Sequence, residues 1–84
     1  MTVIYKLNKD LIARAAMQLS WELKDVKSEV EIVGARQINA KSLIGILSGN
    51  FCKNDKVKVI FNNIAEKEKI LNIFNTIGEI QNDW

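Results

Sequence analysis

The sequence predicts a single α+β domain, a two-layer sandwich in which helices cover one face of a sheet. Apolar residues alternate with their neighbours in four short stretches, which is the period of half-buried strands. Between these stretches, apolar residues recur at helical spacing and form one stripe per segment, which indicates amphipathic helices. Taken in chain order, the stretches predict the element order β-α-β-β-α-β-α over residues 1–84.

Turn and capping residues separate the predicted elements. Asp10 is the candidate N-cap of the first helix, Ser42 is that of the second, and Asn62 and Asn63 start the third. Trp84 lies beyond the last helix, and both a frayed and a docked position are open to it. The elements are a strand over residues 2–7, a helix from about Leu11 to Asp25, a hairpin of residues 28–33 and 36–40, a short helix from Ser42 to Gly49, a strand over residues 56–61 and a helix reaching about Ile80.

Length and composition confine the class of protein. The chain has 84 residues, 48% of them hydrophobic, and contains no proline, which is typical of one soluble globular domain. Its apolar runs are far shorter than a membrane span and its N-terminus lacks a signal-peptide segment, so we expect a cytoplasmic protein. The net charge of +2 is spread along the chain, unlike a nucleic-acid-binding surface.

The chain contains no histidine and one cysteine, Cys52. Histidine is the usual general base near neutral pH and the commonest metal ligand. A structural zinc site within one chain, and nucleophile pairs that depend on histidine, are therefore excluded. We expect neither an enzyme nor a metal or other cofactor. Cys52 cannot form an internal disulfide, and we expect a small reduced hydrophobic residue rather than a reactive thiol.

The short helix is the first candidate site. Because so short a helix is marginal alone in water, packing must hold Ile46 and part of Leu43 against the sheet. Ile44 and Leu47 on its flanks should then face solvent. An apolar rim beside Ser42 at a helix N-terminus is typical of a docking surface. The alternative is that Ser42 only caps a core helix, which is worth about 1 kcal/mol.

Arg14 is the second candidate. It lies in the first turn of the predicted first helix, where the helix dipole disfavours a cation. It is either a solvated surface charge or an anion clamp beside free backbone N–H groups, and the residues alone leave both interpretations open. Trp21 falls off the apolar stripe of this helix, and we expect it to be a partly exposed packing residue.

Two stretches of the chain carry a resemblance to a known family. They are NAKSLIGILS, from Asn39 to Ser48, and a Leu-x-Ala-Arg-x-Ala frame from Leu11 to Ala16. The first is similar to the regulatory-serine segment of HPr, the phosphocarrier of the phosphoenolpyruvate-dependent sugar phosphotransferase system, and of its relative Crh. The resemblance covers almost the whole chain. It implies a four-stranded antiparallel sheet in the order one, four, two, three, with three helices on one side.

The departures from this family concern phosphate transfer. In the family, a histidine follows the leucine that matches Leu11 and accepts phosphate on a ring nitrogen. This chain has Ile12 there, which has no lone pair and cannot carry a phosphoryl group. The family's proline after the arginine is Ala15 here, and its glycine before the leucine is Asp10, whose charge repels phosphate. Arg14 matches the family's arginine, so weak binding of an anion at the start of the helix stays an alternative.

The resemblance also implies a role for Ser42. The matching serine of HPr and Crh in Gram-positive bacteria is phosphorylated by an ATP-dependent kinase, and the product binds a transcriptional repressor of catabolic genes. Phosphate would add about −1.5 to −2 charges at a helix N-terminus, a favourable place, and the adjacent Lys41 could pair with it. The implied partners are the serine kinase or phosphatase, a repressor-type regulator, or sugar-specific components of the system. No direct contact with nucleic acid or membrane is implied.

Three functions remain open at this point. The first is a regulatory or adapter module that binds partners without carrying phosphate. The second is a phosphocarrier that uses another acceptor, for which Asp10 is the nearby carboxylate. The third is a degenerate paralogue with a structural role, such as self-assembly into a homodimer. The recognition surface predicted for the first function comprises Arg14, Met17, Lys41, Ser42, Ile44 and Leu47.

Overall fold

The structure is a computed structural model that describes residues 1–83, so the predicted alternatives for Trp84 lie outside the described residues. It contains five strands and three α-helices in the part of the chain described. Short 3₁₀ turns follow the first helix, at Leu23–Asp25, and precede the third, at Ile64–Glu66. The elements are β1 (Thr2–Leu7), α1 (Ala13–Glu22), β2 (Val30–Val33), β3 (Gln37–Asn39), α2 (Leu43–Ser48), β4 (Lys56–Phe61), α3 (Lys67–Phe74) and β5 (Gly78–Asp83).

The strands form one antiparallel sheet in the order β3-β2-β4-β1-β5. The expected order one, four, two, three is confirmed, but the expected number of four strands was wrong. A fifth strand, β5, pairs with β1 where the sequence predicted the end of a helix. The helix α3 stops at Phe74, and Gly78 then lies so close to β1 that a Cβ atom there would be 2.6 Å from the carbonyl oxygen of Lys6.

One face of the sheet is buried and the other is open, as the alternating sequence predicted. In β1, Val3, Tyr5 and Leu7 are buried, and the residues between them are not. The helices cover the buried face with apolar stripes that include Leu19, Ile46, Ile70 and Phe74. The side chain of Tyr5 extends from the sheet to α3, where its hydroxyl donates to the backbone carbonyl of Leu71 at 3.2 Å.

The first helix begins later than predicted, and Asp10 is not its cap. Ile12 occupies the N-cap position and makes no side-chain capping bond. The Asp10 carboxylate instead accepts a hydrogen bond of 2.7 Å from the backbone N–H of Lys53. Asp10 therefore joins the loop before α1 to the loop after α2. Sequence spacing could not distinguish this long-range acceptor from a local cap.

The loop after α2 also corrects the expectation for Cys52. Cys52 is a free thiol in the described structure, but it is exposed and adds nothing to the core. The neighbouring Phe51 fills the apolar position instead and is buried. Its ring lies so close to Gly34 and Gly49 that a Cβ atom on Gly49 would be 2.3 Å from it.

Ser28 and Glu66 join the end of α1 to the start of α3. The Glu66 carboxylate accepts hydrogen bonds from the backbone N–H groups of Lys27 at 2.9 Å and Ser28 at 2.8 Å. The bond from Lys27 is the main reason that the pKa of Glu66 lies below its ordinary value. The Ser28 hydroxyl, which is buried, donates to Asn62 Oδ1 at 2.7 Å. These bonds hold the segment that follows the first helix against the start of the third.

Candidate functional site

The site predicted from the sequence lies where α1 and α2 pack side by side. The backbone N–H of Leu11 donates to the carbonyl of Phe51 at 3.0 Å, which ties the start of α1 to the end of α2. The Asp10 bond to Lys53 adds a second connection between the same two loops. The fold therefore places the Ile12 segment beside the end of α2, although the two are far apart in the sequence. Ser42 stands at the other end of that helix, where Lys41 and Leu43 lie near the end of α1.

Ile12 lies exposed at the start of α1. Its side chain is 57% exposed, and its carbonyl accepts the N–H of Ala15 at 3.1 Å. Ala13, the next residue, has a left-handed φ of 46°, and no side chain caps the helix. Arg14 lies in the first turn, as predicted, and its side chain is exposed. The start of α1 thus combines backbone N–H groups, one cation and a hydrocarbon side chain, with no titratable acceptor at the cap.

Ser42 caps α2, as predicted. Its Oγ accepts a hydrogen bond of 3.0 Å from the backbone N–H of Gly45. A Cβ atom on Gly45 would lie 3.3 Å from that Oγ and 3.1 Å from the carbonyl oxygen of Asn39, so glycine leaves room for the cap. Ile46 anchors the helix in the core with a side chain that is 0% exposed. The short helix is therefore stabilised by a cap at its N-terminus and by the packing of its buried face.

The outer face of the predicted surface is apolar. Ile44 is 80% exposed, and Leu47 and Met17 are also exposed, as the helical spacing predicted for the first two. Large exposed hydrophobic side chains grouped on adjacent helices are typical of protein contact surfaces. The exposure expected of Ile44 and Leu47 is confirmed, and their role in binding stays a prediction.

A groove of about 420 Å³ runs between α1 and α2 and gathers only part of the predicted surface. It contains Met17 and Lys41 but not Arg14, Ser42, Ile44 or Leu47. The Lys41 ammonium donates to the backbone carbonyl of Val26, so the side chain reaches towards the segment after α1. The lining residues are Met17, Ser20, Trp21, Lys24, Lys41 and Leu43.

Trp21 is the residue that the sequence reasoning left out of the site. Its side chain is 69% exposed, and the Lys24 ammonium lies 4.5 Å from the centroid of its ring. Met17, Ser20, Trp21 and Lys24 follow a second stripe of helical spacing, one position away from the buried stripe. That second stripe was the available signal for the groove.

Among the side chains that the structure describes, those of residues 1–81, no group of three or more histidine, cysteine, aspartate or glutamate residues is arranged to hold a metal ion. In the same part of the chain, every helix is too short or too polar to cross a membrane.

Comparison with known proteins finds solved structures of the same fold. Three solved structures superimpose on nearly the whole chain. HPr-C-His from Thermoanaerobacter tengcongensis is 26% identical, with a TM-score of 0.75 over 92% of this chain and 88% of its own. The histidine-containing phosphocarrier protein of a Mycoplasma is 21% identical, with a TM-score of 0.73 over 90% and 88%. HPr from Bacillus anthracis strain Ames is 20% identical, with a TM-score of 0.76 over 92% and 93%.

The last two likenesses show the fold, and the sequence comparison shows the family. A search of curated proteins finds no match. Residues 1–78 match the family model described as the PTS HPr component phosphorylation site. Since that match spans most of the 84 residues, the chain belongs to the HPr family of phosphocarrier proteins of the phosphotransferase system.

Proposed function

We propose that this protein is a regulatory or adapter member of the HPr family, which binds proteins of the phosphotransferase system and carries no phosphohistidine. The observation that carries the proposal is that none of the 84 residues is histidine. The name of the Mycoplasma relative states that it contains histidine, and the family is described by a phosphorylation site. Phosphotransfer through an imidazole nitrogen is chemically impossible in this chain.

The start of α1 supports Ile12 as the position where the family's histidine would stand. Ile12 is exposed directly before the helix, and Arg14 follows in the first turn. A branched hydrocarbon has neither a lone pair to attack phosphorus nor a proton to exchange. The exposure of Ile12 adds apolar area to the surface, so the substitution favours protein contact over group transfer.

Asp10 is the acceptor that a relocated phosphocarrier function would need. Its carboxylate already accepts the backbone N–H of Lys53, which holds the loops on either side of the site together. That bond accounts for Asp10 as a structural residue. The observations therefore favour the adapter function over the relocated carrier.

The proposed contact surface consists of Arg14, Met17, Lys41, Ser42, Ile44 and Leu47. Exposed Met17, Ile44 and Leu47 supply apolar area, and exposed Arg14 supplies a planar cation. Protein interfaces are enriched in methionine and arginine and often depend on a few large side chains. Recognition, not catalysis, is the chemistry that such a set of side chains performs.

Phosphorylation of Ser42 would be the switch of this surface. The Oγ that accepts the Gly45 N–H would become a phosphate ester, whose oxygens remain able to accept N–H groups of the first turn of α2. The added charge, about −1.5 to −2, would stand beside Ile44 and would compete with the Val26 carbonyl for the Lys41 ammonium. The surface would change in potential without a change of fold.

The contact surface can be tested by titrating the isotopically labelled protein with the first enzyme of the phosphotransferase system and with its sugar-specific components. We expect amide shifts in α1 and α2, and weaker binding of Leu47→Ser. Ile64→Ser is the matched control, because Ile64 is also exposed, at 70%, but lies in the turn before α3. Equal effects of the two variants, or no binding by any of these proteins, would contradict the proposal.

The switch can be tested by intact-mass measurement after incubation with ATP and the serine kinase. We expect one added phosphate on the wild type and on Ser48→Ala, and none on Ser42→Ala. Ser48 is the matched control because it lies on the same helix, with its Oγ bonded to the Gly45 carbonyl at 2.8 Å. No addition to the wild type would leave Ser42 with its capping role alone.

A further inference from the structure

A second groove lies between α1 and α3, outside the proposed contact surface. Its volume is about 790 Å³, and it opens to solvent. Trp21 and Ile73 supply its apolar part, and its polar part includes Glu22, Asp25 and Glu68. The residues of α2 do not line it, so a partner seated here would leave Ile44 and Leu47 accessible.

The charge of this groove is opposite to that of the whole chain. Three carboxylates line it, from Glu22, Asp25 and Glu68, against the ammonium of Lys69 and that of Lys24, which lies over the ring of Trp21. The complete sequence carries a net charge of +2. The groove is therefore a local negative region on a positive protein, and such a region attracts cationic partners and repels the phosphates of nucleic acids.

Trp21 adds an observation that is independent of the carboxylates. Its indole ring already holds an ammonium group, because Lys24 Nζ lies 4.5 Å from the ring centroid. The side chain is nevertheless 69% exposed, so much of the ring remains open to a partner. Exposed tryptophan is the best side chain for contacts with lysine and arginine and a frequent centre of binding energy in protein interfaces.

We propose that the groove between α1 and α3 docks a basic, partly apolar segment of a partner protein. An apolar side chain of that segment would pack on Trp21 and Ile73, and its lysine or arginine side chains would face the three carboxylates. The site is separate from the surface assigned to partners of the phosphotransferase system, and it does not depend on phosphorylation of Ser42.

A designed amphipathic helical peptide of lysine and leucine is a suitable probe, with a peptide of glutamate and leucine in the same pattern as its control. We expect the lysine peptide to shift the amide signals of α3 and of the end of α1 saturably. The glutamate peptide should leave them unchanged. Shifts confined to α2, or equal effects of both peptides, would overturn the proposal.

Two charge-reversal variants distinguish an effect of the groove on peptide binding from an effect of the protein's net charge. Glu68→Lys alters the groove, whereas Glu31→Lys makes the same net change in β2 on the open face of the sheet. At physiological salt we expect Glu68→Lys to weaken binding about threefold to tenfold and Glu31→Lys less than about twofold. Equal weakening by both would overturn the proposal. Asp25→Asn provides a second groove variant if Glu68→Lys lowers the melting temperature.

Sedimentation of the unliganded protein tests the other occupant, a second copy of the chain. We expect a monomer whose sedimentation is unaffected by Glu68→Lys. A dimer that this variant dissociates would assign the groove to self-association and overturn the proposal. Ile44→Ser, which leaves the groove intact, should bind the lysine peptide as the wild type does, so this inference can fail or succeed independently of the proposed function.

Discussion

Replacing Ser42 by alanine removes one defined interaction from α2, the 3.0 Å bond from the Gly45 N–H to Ser42 Oγ. Loss of an N-cap of this type costs about 1 kcal/mol of unfolding free energy. In a domain of this size, that loss lowers the melting temperature by roughly 4 to 8 °C. The helix has only six residues, and it cannot recover the cap by extending, because Ser42 itself has an extended backbone and a turn precedes it.

The measurement is thermal and urea denaturation of Ser42→Ala, with Ser42→Asp and Ser48→Ala beside it. Aspartate also caps helices, so Ser42→Asp should stay within about 0.5 kcal/mol of the wild type. Ser48 is exposed and bonds only its own helix, and its alanine variant should change stability by less than about 0.5 kcal/mol. A wild-type melting temperature for Ser42→Ala, or equal losses at both serines, would refute the capping geometry.

Three further predictions follow from the packing and the charges. Gly78→Ala should lower the unfolding free energy by about 1 to 3 kcal/mol, since its Cβ would lie 2.6 Å from the Lys6 carbonyl oxygen, and urea denaturation against the wild type measures this loss. Ile46→Ala should lower it by about 2 to 5 kcal/mol, whereas Ile44→Ala should change it by less than about 0.5 kcal/mol, because only Ile46 is buried. Glu66→Gln should be less stable than the wild type at neutral pH. The folded pKa of Glu66 is lowered, so its contribution is complete above the unfolded value of 4.5 and is lost as the pH falls through the folded value. Urea denaturation at a series of pH values should show that the difference in unfolding free energy between the wild type and Glu66→Gln becomes smaller as the pH falls. A difference that grows as the pH falls would contradict this prediction.

The sequence predicted the elements whose own residues determine them. Alternation fixed the strand over 56–61 to the residue, and Ser42 marked the start of α2 because its cap is local. Asn63 likewise caps the turn before α3, with its side chain accepting the Ala65 N–H. The exposure of Ile44 and Leu47 followed from helical spacing once Ile46 was assigned to the core.

The elements that depend on distant residues were not predictable in the same way. β5 contains few strand-forming residues, and its conformation is supplied by pairing with β1. Ile77 continues the spacing of the third helix, so the end of α3 was hidden; in the structure its N–H bonds to the Phe74 carbonyl at 3.0 Å in a turn. Asp10 was predicted to cap the first helix, because nothing in the local sequence indicates that its carboxylate accepts the N–H of Lys53, which lies 43 residues away.

In the candidate site, too, the features set by local sequence were predictable and those set by tertiary packing were not. Ser42 and the apolar rim of α2 were found from local spacing, whereas the groove that joins Met17 to Lys41 needs the packing of two helices. Trp21 was assigned to packing because it lies off the buried stripe. Only the fold shows that it borders both the groove towards α2 and the groove towards α3.

The central claim is that this member of the HPr family recognises partners but relays no phosphoryl group. Its most direct test is intact-mass measurement after incubation with phosphoenolpyruvate and the first enzyme of the system, with Ile12→His as the matched variant. We predict no acid-labile phosphate on the wild type, and phosphate on the variant, whose imidazole would stand exposed before α1 and close to Arg14 in the sequence. A phosphorylated wild-type chain would contradict the claim.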